Sequence, residues 1–321
     1  MRSQVHSLEL VYPPISNQEA EWLKDDPLVE KEISKSHLYF IGQKPETFFH
    51  FDDNVQEVLK KEQKIYLTLK CGNTETTGYI DIIKICEPLK MDSESEIDIE
   101  LGEKFIRLWL LTGDQEPDLI NWFTTEKFIF DRSRNAPFII GFNEYKSFYR
   151  YHLHYVGISK KEDSFRRLLV RPHDKRLRIL SNEYPLSKGS RPTDEIVLFF
   201  FMIKSLEIKQ YFYEEELDEL GTNNLEKYEQ IIADAEKAFV KILNCKYNEV
   251  KFENYPFSTD GLFHTNVDRY AFCIDEDISF VTTDNVIQGD RSTSTSFSKS
   301  DFIIVDKIKV DLIKTNKEAN N

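Results

Sequence analysis

A carboxylate lies on the apolar face of the helix that the sequence predicts from Leu225 to Leu243. The apolar stripe of this helix consists of Ile232, Ala235, Phe239, Ile242 and Leu243. Glu236 follows Ile232 by four residues and precedes Phe239 by three, so it lies on or beside the buried face. Because an unpaired buried carboxylate is costly, it needs a compensating cation. The sequence leaves two partners open, a divalent metal ion or an arginine such as Arg167.

Two arginines lie in a second predicted helix, earlier in the chain. Phe165, Leu168 and Leu169 have the spacing of one helix face, which places Arg166 and Arg167 beside that face. A guanidinium in this position can bind a phosphate through two parallel hydrogen bonds. For either arginine taken alone, an ordinary surface charge is the alternative.

The basic residues of the chain are concentrated around these two arginines. The formal net charge of −14 argues against nucleic-acid binding by the chain as a whole. Residues 158–191 nevertheless hold ten Lys and Arg against four Asp and Glu. The candidates for phosphate contacts in this basic island are Lys160, Lys161, Arg166, Arg171, Lys175, Arg176 and Arg178. The island is a candidate phosphate-binding face, and a solvated helix surface is the alternative.

At three further positions the local sequence does not decide between a structural and a functional role. The segment Leu153–Ser159 predicts a strand that ends at Gly157, where glycine lets the backbone turn and a ligand come close. His173 follows a proline and can cap a helix, pack or bind. Asn248 follows the helix that carries Glu236, where asparagine is usually a cap or turn residue.

The order of these residues along the chain is more informative than any one of them. Tyr155-Val-Gly157 is followed by Arg167, His173, a very apolar strand, Glu236 and Asn248. This order resembles that of the GIY-YIG nuclease superfamily over about the middle third of the chain. The segments that carry the resemblance best are His154-Tyr-Val-Gly-Ile-Ser159, Phe165-Arg-Arg-Leu168 and Ala235–Asn248.

The resemblance implies a metal-dependent endonuclease that hydrolyses phosphodiester bonds in DNA. It implies that Glu236 is the sole direct protein ligand to a Mg²⁺ or Mn²⁺ ion, and that Arg167 stabilises the charge of the transition state. His173 would assist the attacking water, and Asn248 would position the helix end or the outer shell of the metal. Restriction or antiphage defence is the role that the general habits of the superfamily suggest.

The sequence does not decide which residue corresponds to the first tyrosine of the superfamily. Members of the superfamily carry Gly-x-Tyr on the strand that precedes the one holding Tyr155. Tyr145 has the expected distance, residues 138–142 have the strand character, and Tyr149 is a third candidate. Tyr155 or Tyr149 would orient or deprotonate the attacking water. Tyr39-Phe-Ile-Gly42 also resembles a strand-glycine motif, but no arginine follows at helical spacing, so we interpret it as a strand end. The alternative function is a catalytically inactive module that binds nucleic acid or protein.

The predicted fold class is α+β, with three segments. Residues 1–134 are predicted to form a mixed N-terminal domain of unknown role, and residues 251–321 a β-rich extension with a polar tail. Residues 138–250 are predicted to form a GIY-YIG-like domain, a small three-stranded antiparallel sheet flanked by helices. Residues 131–137 are polar, end in proline and are interpreted as a linker.

The elements that must position the candidate residues follow from the hydropathy pattern. In the middle segment the sequence predicts strands at 138–142, 148–156 and 194–203. It predicts helices at about 164–180, interrupted at Pro172, and at 225–243. In the first segment it predicts helices at 17–24 and 54–62 and a hairpin at 64–85 with a Gly-Asn turn.

The composition also limits where the protein works. The four cysteines lie far apart without a CxxC pair, so neither a zinc site nor a disulfide framework is expected, and a reducing cytoplasm is the simplest location. No apolar run approaches the roughly 20 residues that span a bilayer, so we expect no membrane partner. The expected partner is DNA, and a protein partner or a second copy of the chain stays open.

Overall fold

The structure is a computed structural model that describes residues 2–89, 95–112, 116–209, 227–291 and 299–315. It divides the chain into two compact units that are not contiguous in sequence. The first unit comprises Met1–Lys44, Arg150–Tyr184 and Pro192–Asn321. The second unit comprises Pro45–Tyr149 and Pro185–Arg191, so it is inserted into the chain of the first.

The described elements alternate between short strands and short helices. The strands are β1 (Arg2–Leu10), β2 (Ile15–Ser16), β3 (Leu38–Gln43), β4 (Phe48–His50), β5 (Lys64–Cys71), β6 (Thr74–Asp81), β7 (Ser95–Leu101), β8 (Phe105–Thr112), β9 (Asp118–Thr124), β10 (Ile139–Gly141), β11 (Arg150–Ile158), β12 (Ile196–Lys209), β13 (Arg269–Ile274), β14 (Ser279–Val281), β15 (Val286–Gln288), β16 (Phe302–Asp306) and β17 (Val310–Ile313). The helices are α1 (Asn17–Leu23), α2 (Pro27–Ile33), α3 (Val55–Glu62), α4 (Ile82–Cys86), α5 (Thr125–Ser133), α6 (Asp174–Asn182), α7 (Pro192–Glu195) and α8 (Tyr228–Leu243).

The first unit is built on one large mixed sheet. Its strand order is β15-β14-β11-β3-β12-β1-β13-β16-β17, and β2 pairs with β12 at one end. At its centre β3 runs antiparallel to β11 on one side and to β12 on the other. Residues 196–201 of β12 are all buried, as expected for a strand that is covered on both faces.

Helix α8 is amphipathic, and its apolar stripe joins the core of the first unit. Ala235, Phe239 and Leu243 are buried, and the ring of Phe239 contacts Phe40 of β3 at a centroid distance of 5.2 Å. The helix ends at Asn244, which has the left-handed conformation common at helix ends. This packing places the remaining face of α8 next to the strands that carry the candidate residues.

The second unit holds the insertion between β3 and β11. It contains a four-stranded sheet in the order β10-β6-β5-β4 and a three-stranded antiparallel sheet in the order β7-β8-β9. The predicted hairpin is confirmed as β5 and β6, although residues 82–86 form helix α4 instead of continuing the second strand. Among the helices that the structure describes, none has the length and apolar character needed to cross a membrane.

The mixed α+β class is confirmed, but the division of the chain differs from the predicted one. The predicted middle domain does not have its own three-stranded sheet, because β3 from the N-terminal segment lies between β11 and β12. Strands from residues 251–321 join the same sheet, so the C-terminal segment is part of the first unit. The predicted linker at 131–137 is wrong at its start, since α5 continues through Ser133. Of the predicted polar tail, 316–321 lies outside the described residues.

Candidate functional site

Two tyrosines from neighbouring strands lie side by side in the first unit. Tyr39 is on β3 and Tyr155 is on β11, and their ring centroids are 6.1 Å apart. Gly157 pairs with Tyr39 in the antiparallel ladder. A Cβ atom at Gly157 would lie 2.5 Å from Cε1 of Tyr155 and 2.8 Å from the hydroxyl oxygen of Tyr39. Glycine is therefore required here because both rings pass over its backbone.

We expect Gly157→Ala to disrupt this pair of tyrosines. The added methyl group overlaps both rings, and overpacking of this kind typically costs about 1–3 kcal/mol. Urea unfolding followed by circular dichroism should show the lower free energy of unfolding. Unchanged stability would contradict the close approach of the two rings.

His173 fixes the hydrogen bonding of Tyr39. Its Nδ1 accepts a hydrogen bond of 3.1 Å from the backbone N–H of Arg176, which caps α6, and its Nε2 lies 2.9 Å from the hydroxyl oxygen of Tyr39. The pKa of His173 is lowered to about 4, mainly by burial and also by the charges of Arg167 and Arg176. The ring is therefore neutral at pH 7, with its proton on Nε2 and donated to Tyr39.

The hydroxyl proton of Tyr39 is consequently directed away from His173. Burial raises the pKa of Tyr155, the charge of Glu236 raises it further, and the neighbouring Tyr39 hydroxyl lowers it. The rings of His173, Tyr39 and Tyr155 pack on one another, with centroid distances of 5.6 Å (Tyr39–His173), 6.1 Å (Tyr39–Tyr155) and 5.8 Å (Tyr155–His173). Since both phenols have raised pKa values, both keep their protons at neutral pH.

Arg167 reaches the same group from an exposed turn. It lies in a π-helical turn (Arg166–Val170), which is anchored by the buried side chains of Leu168 and Leu169. Burial raises the pKa of Tyr39 strongly, whereas the nearby guanidinium of Arg167 lowers it. Arg167 is exposed, so a phosphate can approach its guanidinium beside the tyrosine pair.

Glu236 is a partly buried carboxylate on the face of α8 nearest to this group. Burial raises the pKa of Glu236 to about 7, Lys237 and Lys160 lower it, and Asp260 raises it. The two lysines are engaged elsewhere, since Lys237 and Lys160 bind Asp260 at 2.6 and 2.7 Å. Among the described residues, no hydrogen bond or ion pair reaches the Glu236 carboxylate. The salt bridge to Arg167 that the sequence left open is thus not formed within this part of the chain.

Glu236 is one possible ligand for a divalent cation. A desolvated carboxylate without a protein partner supplies one anionic oxygen ligand, and Mg²⁺ commonly keeps several waters beside one or two carboxylates. No cluster of three or more His, Cys, Asp and Glu side chains arranged to hold a metal occurs in the described part of the chain. Any ion at this position would therefore rely on Glu236 and water.

Asn248 fixes the strand that carries Tyr155. Its Oδ1 accepts from the backbone N–H of Val156 at 3.0 Å, and its Nδ2 donates to the carbonyl of the same residue at 2.7 Å. The backbone N–H of Tyr247 also donates to the carbonyl of His154 at 3.1 Å. The segment after α8 thus takes the place of a neighbouring strand along this stretch of β11. Asn248 positions the Tyr155 strand, where the sequence had suggested a role at the helix end or around the metal.

We expect Asn248→Ala to destabilise the protein by about 2–4 kcal/mol, because two buried backbone groups of Val156 lose their partners. Thermal and urea unfolding measure this effect. Among the described residues the side chain of Asn248 hydrogen-bonds only to Val156, so a variant as stable as the wild type would show that the bidentate contact is absent in solution.

The basic island is mostly a surface of paired charges. These pairs are Lys160–Asp260 at 2.7 Å, Arg171–Glu162 at 3.0 Å, Arg178–Glu249 at 2.6 Å, Lys175–Glu249, and contacts of 4.0 Å from Arg166 to Asp163 and Glu30. Exposed pairs of this kind are weak, so a phosphate can replace the carboxylate. Lys161 is exposed and has no ion pair within the described residues.

Arg176 differs from the rest of the island. Its guanidinium donates to the side chain of Asn17 in α1 and to the carbonyl of Leu168. Burial lowers its pKa, as expected for a cation inside the unit. The structure therefore favours a role for Arg176 in holding α6 against α1, and it does not favour the predicted phosphate contact.

The structure brings together Tyr155, Arg167, His173 and Glu236, and it adds Tyr39, which the sequence analysis had set aside. Tyr149 belongs to the second unit, where it is buried next to a 3-10 turn (Tyr145–Phe148), and its part in the site stays a prediction. The Tyr39-Phe-Ile-Gly42 motif could have identified Tyr39 if the chain between β3 and β11 had been treated as an insertion.

The chain has no match to any protein-family model, to any curated protein or to any solved structure in the comparisons made with each. The functional interpretation therefore depends on the geometry of the first unit.

Proposed function

We propose that this protein is a metal-dependent endonuclease that hydrolyses phosphodiester bonds in DNA. One observation carries the proposal. Tyr39, Tyr155 and His173 come from three separate parts of the chain and pack on one another, and the charges of Arg167 and Glu236 both act on the tyrosines, Glu236 having no described partner. With Tyr39 on the strand beside Tyr155, β3 supplies the tyrosine that the resemblance to GIY-YIG nucleases requires on the opening strand.

The residues of the site suit the charges of phosphodiester hydrolysis. Water attacks phosphorus, a new P–O bond forms, the bond to the 3′ oxygen breaks, and a proton passes from the water to solvent while the leaving oxygen gains one. Arg167 binds the phosphate oxygens, where negative charge increases in the transition state. Glu236 would hold a Mg²⁺ or Mn²⁺ ion, which supplies Lewis-acid stabilisation of the phosphate and of the leaving oxygen.

The tyrosines are suited to orienting the attacking water. Because Tyr155 keeps its proton at neutral pH, it can donate to or accept from a water molecule without becoming charged. His173 fixes the hydroxyl of Tyr39, and the ring of Tyr39 packs beside that of Tyr155. A protonated Tyr155 favours orientation of the water over its deprotonation, the choice that the sequence left open.

Cleavage of supercoiled plasmid tests the proposal. The wild type should produce nicked and then linear DNA in Mg²⁺ or Mn²⁺, and none in EDTA. Tyr155→Phe should cleave more slowly with an unchanged circular dichroism spectrum, because the ring is kept and only the hydroxyl is lost. Intact plasmid in every metal, with binding of DNA retained, would favour the inactive binding module instead.

A further inference from the structure

A polar cleft borders the proposed site on the side of α8. It has a volume of about 460 Å³ and is formed largely by residues 249–260, together with Lys237. Lys237 and Asp260 line the cleft, and they are the same residues whose charges act on Glu236. The cleft therefore begins one residue along α8 from the carboxylate.

The charges of the cleft are largely paired. Asp260 binds both Lys160 and Lys237, and Glu249 binds both Lys175 and Arg178. Lys237 also donates to the carbonyl of Ala233. The cleft therefore carries no excess of negative charge that would repel DNA.

Two phenylalanines give the cleft an aromatic wall. Phe252 and Phe257 both line it, and Phe257 is 60% exposed. Phe257 is held by edge contacts with Phe263 at 5.1 Å and His264 at 6.0 Å. An exposed ring held in this way can stack on a flat, neutral ligand.

The cleft also carries exposed polar side chains. Glu253 and Asn254 both line it and are exposed. A flat ring with polar edges can stack on Phe257 and keep those edges among polar groups.

We propose that this cleft binds an unpaired nucleobase of the DNA beside the cleaved bond, stacked on Phe257. This inference rests on the proposed nuclease function and adds a substrate class to it. The preferred DNA is single-stranded, flapped or bulged at the cleavage position, because a base inside a duplex cannot enter the cleft.

The test uses metal-free protein, so that binding is measured apart from cleavage. Duplexes of one sequence are compared: fully paired, with one unpaired 2-aminopurine, and with an abasic residue in its place. Fluorescence anisotropy of an end label gives Kd, and 2-aminopurine fluorescence reports stacking. The wild type should bind the DNA with the unpaired base about 10-fold more tightly than the other two, given the usual contribution of base–aromatic stacking.

Phe257→Ala should abolish this preference and the change in 2-aminopurine fluorescence, and Phe257→Leu should do the same because it keeps apolar volume without a ring face. Tyr184→Ala serves as the control, since Tyr184 is an 86% exposed aromatic residue outside the cleft. Equal affinity for the three DNAs, or a preference that survives in both Phe257 variants, overturns the inference. Retained preference without cleavage in Mg²⁺ would overturn the nuclease proposal alone.

Discussion

Glu236→Gln is expected to lower metal-dependent cleavage at least about 1000-fold and, at the same time, to stabilise the metal-free protein. The loss of activity follows from the loss of the anionic oxygen that would hold the metal. The gain in stability follows from the burial of this carboxylate, which raises its pKa from the model-peptide value to about 7.

The sign of the pH dependence follows from this raised pKa. Between about pH 4.5 and about pH 7 the folded state binds a proton at Glu236 that the unfolded state has released, so stability falls as pH rises through this window. Above pH 7 the buried Glu236 carboxylate is fully ionised, which lowers the free energy of unfolding by about 3 kcal/mol. A glutamine at this position carries no charge and does not cause this loss. At pH 4 the variant and the wild type should therefore be equally stable, and at pH 8 the variant should be the more stable.

Urea unfolding of both proteins in EDTA at pH 4 and pH 8 measures this difference. Glu229→Gln is the matched control, because Glu229 is exposed in the first turn of the same helix. It should change neither activity nor the pH dependence. A Glu236→Gln variant that is less stable than the wild type at pH 8 would show that the carboxylate has a protein partner in solution.

Arg167→Lys is expected to reduce cleavage about 100- to 1000-fold, although the charge is conserved. Lysine cannot form the two parallel hydrogen bonds of a guanidinium with a phosphate, and one such contact in a transition state typically contributes about 3–4 kcal/mol. The loss should appear in kcat more than in KM, because the contact strengthens as charge develops on the phosphate.

The control for Arg167 is Arg269→Lys, which makes the same exchange at an exposed position on β13. Single-turnover kinetics with excess enzyme separates the chemical step from binding. If Arg167→Lys cleaves as fast as the Arg269 variant, the guanidinium does not bind the reacting phosphate.

Local sequence patterns were sufficient to identify the candidate side chains that a single helix or strand positions. The apolar stripe of α8 identified Glu236 as a carboxylate on a buried face, and burial raises its pKa as that position requires. The apolar run at 196–203 predicted β12, and the interruption at Pro172 predicted the break between the π-helical turn and α6. Each of these predictions needed only the sequence pattern of one segment.

Tyr39 and the division into units could not be predicted in this way. Tyr39 lies beside Tyr155 only because β3 pairs with β11 across the inserted residues 45–149, and no local pattern encodes that pairing. The same holds for Asn248, whose amide looks like a helix cap in sequence but binds the backbone of Val156. Long-range strand pairing, which depends on the whole core, determines the position of Tyr39, the division into two units and the contacts of Asn248.

Binding of Mn²⁺, measured by electron paramagnetic resonance of the free ion, tests the central claim most directly. The account predicts one bound ion per wild-type chain at pH 8, unchanged binding in Glu229→Gln and loss of that ion in Glu236→Gln. Equal binding by the wild type and Glu236→Gln would place the metal elsewhere and contradict the account.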